Sequence, residues 1–108
     1  MSDTLTQVQA LVARGAFRIS DHGFEKLEEN AILARDVLAG IATAVVVEDY
    51  PGAIRGPTVL VLQSDMANRP IHVVWAIAMG HSEPAVVVTA YRPDPKRWSF
   101  DYMERKAR

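Results

Sequence analysis

Proline placement constrains this chain more than any other feature. Pro51, Pro57, Pro70, Pro84, Pro93 and Pro95 all fall between apolar runs and none lies inside one, as expected where the runs are strands that need their backbone N–H groups for a ladder. The runs so delimited are Val-rich and cover residues 44–50, 58–63, 71–79 and 85–92. Their connections suit hairpins, whereas a parallel arrangement needs crossovers of a dozen or more residues, for which there is no room between them. An antiparallel meander is the simplest topology. Residues 71–79 are apolar on both alternating sets, Ile71, Val73, Trp75 and Ile77 on one and Val74, Ala76 and Ala78 on the other, so this run reads as a central strand.

Helical spacing precedes the strands. Thr4 with Gln7 has the form of a capping box, and Leu5, Val8, Leu11 and Val12 follow at helical intervals up to Gly15. Phe17 and Ile19 make a short extended piece. Ser20 or Asp21 caps a second helix running to about Asn30, with Phe24, Leu27 and Ala31 on its buried stripe. A third helix over 34–43 buries Val37, Leu38 and Ile41. The expected fold class is α+β, with N-terminal helices packed on one face of a twisted four-stranded antiparallel sheet. After Tyr91 the stretch RPDPKRW breaks the sheet, and residues 98–105 close as a short C-terminal helical segment.

With 108 residues, 49% of them hydrophobic, the chain reads as a single domain over 1–108, large enough to bury a core. Zero Cys excludes disulfides, thiolate metal sites and a Cys nucleophile together. The longest unbroken apolar run, 73–79, falls short of the roughly 20 residues of a membrane span. The opening MSDTLTQ has no basic segment followed by an apolar one, and a cytoplasmic protein with no membrane partner is expected. The net charge of −1 hides an asymmetry: residues 1–50 carry four basic and eight acidic side chains, and residues 92–108 carry six and three. Such a tail can face phosphate or nucleic acid, or match the acidic front of the same chain. A dedicated nucleic-acid binder is more often basic throughout, and no DNA partner is expected.

Several polar residues can carry chemistry. A tight hairpin at Gly80-His81-Ser82-Glu83, with Met79 opposite Pro84, places His72 opposite Tyr91 on one face. The two then form either an acid–base pair at the sheet's end or a structural hydrogen bond, since a central strand is a costly place for an unpartnered imidazole. His22 and Lys26 lie four apart on the second helix, away from its apolar stripe, and form either a site wall or solvent surface. Arg92, Lys96 and Arg97, with Arg69 and Arg55 in turns, can supply cations to a phosphate or simply solubilise. Glu48 and Asp49 point to opposite faces of a strand, so only one of them, taken here as Glu48, can orient a site residue. His22, His72 and His81 show no metal-ligand spacing, and neither a Gly-rich phosphate loop nor GxSxG occurs. No metal or cofactor is expected.

The segments SDHGFEKL (20–27), DVL (36–38), VVVEDYPG (45–52), RPIHVVWAIA (69–78) and VTAYRPDPKRW (88–98) resemble, in order and spacing, the blocks of the family named domain of unknown function 4258. The resemblance spans about residues 17–105. Lys26 stands where that family commonly has Arg, Gly23 where Ala is common, and Leu33 where a Ser or Thr cap is usual. The family is similar to the RelE and BrnT ribonuclease toxins, which implies helices on a twisted antiparallel sheet. It also implies RNA or the ribosome as target and an antitoxin-like protein as partner.

Two functions follow as expectations. The first is metal-independent cleavage of single-stranded or ribosome-bound RNA, which needs a base near the 2′-OH, an acid near the leaving oxygen and cations on the phosphate. The catalytic candidates are His22, His72, Tyr91 and Lys26, with Arg92, Arg69 and Lys96 on the substrate phosphate. The second is a non-catalytic binding or regulatory module that keeps the toxin-like fold and acts through a protein partner.

Overall fold

A computed structural model describes residues 2–107. Along the chain run α1 (Asp3–Ala13), β1 (Phe17–Ile19), α2 (Asp21–Glu29), α3 (Ala34–Gly40), a 3₁₀ turn (Ile41–Thr43), then β2 (Val45–Tyr50), β3 (Thr58–Ser64), β4 (Pro70–Ile77) and β5 (Ala85–Tyr91). The strands form one five-stranded sheet in the order β1-β5-β4-β3-β2. β4 is its centre, as its doubly apolar pattern predicts.

The expected four-stranded antiparallel sheet is corrected in one respect: β1 adds a fifth strand, parallel to β5, with Phe17 opposite Ala85 and Ile19 opposite Val87. The missing crossover length between the later runs rules out parallel pairing among them. It has no bearing on a strand that comes before the helices and reaches β5 across most of the chain. The predicted C-terminal helical segment is also corrected. Residues 98–105 double back, with Trp98 bridged to Arg105 and Tyr102 in the left-handed region at φ 63. The Asp101 carboxylate accepts from the Ser99 hydroxyl at 2.7 Å and the Met103 N–H at 3.1 Å, a local alternative that competes with helix.

All three helices cover one face of the sheet. Val8 and Leu11 of α1, Leu27 of α2 and Val37 of α3 join Val59, Val61, Ile71, Val73, Trp75, Ile77, Ala85, Val87 and Ala90 in a single core. α1 starts two residues earlier than the Thr4 box suggests, because the Ser2 side chain accepts from the Leu5 N–H. α2 is capped by Ser20, as one of the two predicted alternatives had it, through a bond from the Gly23 N–H at 2.9 Å. A β-carbon on Gly23 would lie 2.7 Å from the Val87 carbonyl oxygen, so α2 can approach β5 this closely only with glycine there. That approach sets the buried stripe to Gly23 and Leu27. It turns Phe24, predicted inside, out to 55% exposure, and Ala31 is exposed beyond the helix end. Leu33 precedes α3 without a side-chain cap bond.

Two bulges shape the opposite face. In β5 Val88 is an extra residue: Trp75 faces Val87, whereas Val74 faces Thr89 and His72 faces Tyr91. In β2 Val47 plays the same part, with Val46 opposite Val61 and Glu48 opposite Leu60. A side chain four residues from Val87, or two from Val46, would ordinarily return to the core face. One inserted residue moves it to the other. Tyr91 and Glu48 therefore both point, with His72, away from the helices.

Candidate functional site

The chain after β5 folds back over this second face, and His72 is where it is pinned. The imidazole is fully buried. Its Nε2 lies 2.9 Å from the Tyr102 carbonyl oxygen and its Nδ1 3.1 Å from the Tyr91 hydroxyl. A carbonyl can only accept, so Nε2 carries the proton and the neutral ring's Nδ1 accepts from the Tyr91 hydroxyl. Burial pushes the His72 pKa down from 6.5, outweighing the Tyr102 carbonyl and the nearby Glu48 charge, which pull it up. Burial likewise pushes the Tyr91 phenol up from 10.0. The result is a buried carbonyl–imidazole–phenol chain that ends at Tyr91, which is partly exposed.

Trp98 closes the imidazole from above. Its indole stands edge-on to His72 at 4.4 Å between centroids, and the Arg105 guanidinium lies 4.8 Å from the indole centroid. Arg105 also donates to both oxygens of Glu48, from Nε at 2.8 Å and Nη2 at 3.1 Å, while the Tyr50 hydroxyl donates to the same carboxylate at 2.8 Å. The Arg105 guanidinium holds the Glu48 carboxyl below its ordinary value. Glu48 thus orients Arg105, and through it Trp98, rather than touching the imidazole.

Beside this cover lies an open cleft of about 880 Å³, lined by Tyr91, Arg92, Asp94, Lys96, Arg97, Trp98, Arg105, Lys106 and Ala107. Its charge is mostly positive. Asp94, the acidic residue among those lining it, accepts from the backbone N–H groups of its own turn, including Lys96 at 2.8 Å. Among the described residues, Lys96, Arg97 and Lys106 enter no ion pair. A phenol on a buried imidazole can exchange a proton with a hydroxyl of a bound ligand, and the cations beside it can neutralise charge that develops on a phosphoryl group.

The structure gathers His72, Tyr91, Arg92, Lys96 and Glu48 around this end of the sheet, with His72 behind Tyr91 and Glu48 behind Arg105. It does not bring His22 and Lys26 there. α2 packs on the core face, so the sheet separates them from His72. His22 is exposed, and the Lys26 ammonium is 3.0 Å from Glu29 on its own helix. Arg69 sits in the β3–β4 turn, 3.3 Å from Asp65. Arg92 lines the cleft, but its guanidinium donates to Asp65 at 2.8 Å. That buried carboxylate also accepts from the backbone N–H groups of Ala67 and Arg69, and the Arg69 N–H, with the Arg92 guanidinium after it, holds its pKa below the usual aspartate value against burial. Arg92 and Arg69 therefore brace the turn.

Trp98, Tyr102 and Arg105 were not among the residues the sequence singled out for chemistry. Their signal was faint: aromatic residues at 98, 100 and 102 followed by Arg105, an alternation that fits a segment laid flat on a surface as well as a helix. Among the described residues no three His, Cys, Asp or Glu are grouped to hold a metal ion, and no helix is long and apolar enough to cross a membrane.

No curated protein and no solved structure matches this chain. Residues 19–92 match the family described as domain of unknown function (DUF4258), a stretch that holds α2, α3, every strand from β2 to β5, and the His72–Tyr91 pair. The chain belongs to that family.

Proposed function

We propose that this protein is an RNA-directed enzyme of the ribonuclease-toxin type, which cleaves the phosphodiester at the cationic cleft with Tyr91 as its acid–base group. The observation that carries this reading is the Tyr91 hydroxyl on the neutral His72 Nδ1 at 3.1 Å, beside a cleft lined by Lys96, Arg97, Arg105 and Lys106. His72 is a positioning residue here: buried behind Tyr91, it accepts the phenolic proton and returns it. The phenol takes a proton from the 2′-OH as that oxygen attacks phosphorus, while its own proton moves to His72. The bond to the 5′-oxygen breaks, and that oxygen takes a proton from water, whose hydroxide takes a proton from the Tyr91 phenol as His72 returns the one it holds. The lysine and arginine side chains balance the charge that develops on the phosphoryl oxygens. The reading carries forward the likeness to RelE and BrnT toxins expected from the sequence, and with it a protein partner that would shield the cleft.

A second reading is a non-catalytic module that acts through a protein partner. The complete burial of His72, with both ring nitrogens satisfied, favours it, since the same bonds serve to pin the C-terminal segment. Purified protein incubated with RNA in the presence of chelator, with ribosomes added and omitted, separates the two. Cleavage under either condition supports the enzyme. No cleavage together with no growth arrest on induced expression leaves the binding module.

A further inference from the structure

The cleft has a neighbour with different chemistry. A recess of about 400 Å³ is lined by Pro95, Trp98, Ser99, Phe100, Tyr102 and Lys106, and it shares Trp98 and Lys106 with the cationic cleft. Phe100 is fully exposed, at 101%, and among the described residues no other side chain covers it.

Its backbone is nevertheless fixed. The Ser99 N–H donates to the Glu104 carbonyl at 2.7 Å, the Glu104 N–H to the Ser99 hydroxyl oxygen at 3.0 Å, and the Tyr102 N–H to the Ser99 carbonyl at 2.9 Å. Asp101 accepts from Ser99 and Met103. The same turn places the Tyr102 carbonyl on His72. A phenyl ring is thus held in water by a turn anchored to the sheet, in one recess with Lys106, which enters no ion pair among the described residues.

We propose that this recess is a nucleobase subsite, in which Phe100 stacks on an unpaired base of single-stranded RNA whose phosphate lies on Lys106, Lys96 and Arg97. The inference rests on the RNA reading above and deepens it. Phosphate charge explains the cations but gives no use for an exposed ring. Stacking explains the ring, and single-strand binders combine a cationic track with aromatic platforms in this way. Bases inside a duplex are already stacked and paired, so this arrangement selects the unpaired form.

The test is fluorescence anisotropy with three probes: an unstructured oligoribonucleotide of about a dozen nucleotides, the same strand in a duplex, and inorganic polyphosphate. Wild type should bind the single strand more tightly than the duplex. Phe100→Ala should weaken single-strand binding by about tenfold and leave polyphosphate binding and the melting temperature unchanged, because its ring touches no core residue. Phe100→Trp should restore the single-strand affinity. Equal affinity for single strand and duplex, or a Phe100→Ala protein that binds the single strand like wild type, overturns the stacking subsite while the RNA reading stands, and leaves Phe100 for contact with a protein. Binding of polyphosphate alone, or of none of the three, overturns the subsite together with the RNA reading.

Discussion

His72 and Tyr91 meet across β4 and β5 because Val88 adds one residue to β5 between Val87 and Thr89. In a regular strand Tyr91 would share the core face with Val87, and its hydroxyl would lie among aliphatic side chains. Val47 does the same for Glu48, which then reaches Arg105. Two one-residue insertions at different places in the sheet therefore assemble a single polar cluster on its second face. The first of them also lies where α2 docks, since the Ser20 hydroxyl is within bonding distance of the Val87 and Val88 carbonyl oxygens.

Removing the phenolic hydroxyl leaves a buried acceptor unsatisfied. Tyr91→Phe should fold normally and lose about 1–3 kcal/mol in a urea melt, the usual cost of an orphaned buried polar atom. A loss below about 0.5 kcal/mol would mean that His72 Nδ1 finds another donor, a result at odds with the bond described here.

Stability should fall on mild acidification. His72 is held below 6.5 in the folded state by burial, while the unfolded chain takes up a proton near that ordinary value. As pH drops below 6.5 the unfolded state binds the proton first, so stability declines until the lowered folded value is reached. Glu48, held below its ordinary 4.5 chiefly by Arg105, contributes stability above that value, which disappears as pH falls through the folded one. Urea midpoints measured from about pH 7.5 to about pH 5 should drop for wild type and stay flatter for His72→Gln. A wild-type midpoint that holds level over the range contradicts a buried neutral imidazole.

The C-terminal cover can be tested on its own. Trp98 is 4% exposed and lies edge-on to His72, so Trp98→Ala should admit water to the ring. In an NMR titration the His72 pKa should move up toward 6.5, and limited proteolysis should cut within residues 93–107 faster than in wild type. An unchanged titration with unchanged proteolysis would show that the segment is held without Trp98.

In the core, Trp75 is fully buried and its indole N–H donates to Gln63 Oε1 at 3.0 Å, while Gln63 Nε2 donates to the Val37 carbonyl at 2.8 Å. This links the central strand to α3 through one amide. Trp75→Ala should cost about 3–5 kcal/mol in denaturant melts. Gln63→Leu should cost about 1–3 kcal/mol, since it strands two polar groups. A neutral Gln63→Leu would indicate that neither group depends on the relay.

The strands from β2 to β5 and the centrality of β4 were legible because proline placement and two-sided apolarity record backbone pairing and burial directly. The His72–Tyr91 pairing followed from counting across the hairpin, although the path differs. Near the turn Ile77 faces Ala85, one place off the assumed Met79–Pro84 register, and Val88 restores the count before His72. β1 was legible as an extended piece but not as a parallel partner, because three residues carry no sign of which edge they join. The grouping of His22 and Lys26 with His72 failed for a reason of layers: helical spacing tells which residues share a side of α2, not which side of the sheet α2 covers. The cover over His72 was hidden because Trp98, Tyr102 and Arg105 act from an irregular segment held by side-chain bonds.

The most direct measurement is the single-turnover rate of RNA cleavage by wild type and Tyr91→Phe, with chelator present and RNA binding followed in parallel. The account predicts wild-type cleavage, and a loss of about 10²- to 10⁴-fold on removing the hydroxyl, with RNA affinity unchanged. Wild-type cleavage that Tyr91→Phe retains in full, or wild type that binds RNA without cutting it, would contradict Tyr91 as the acid–base group at this cleft.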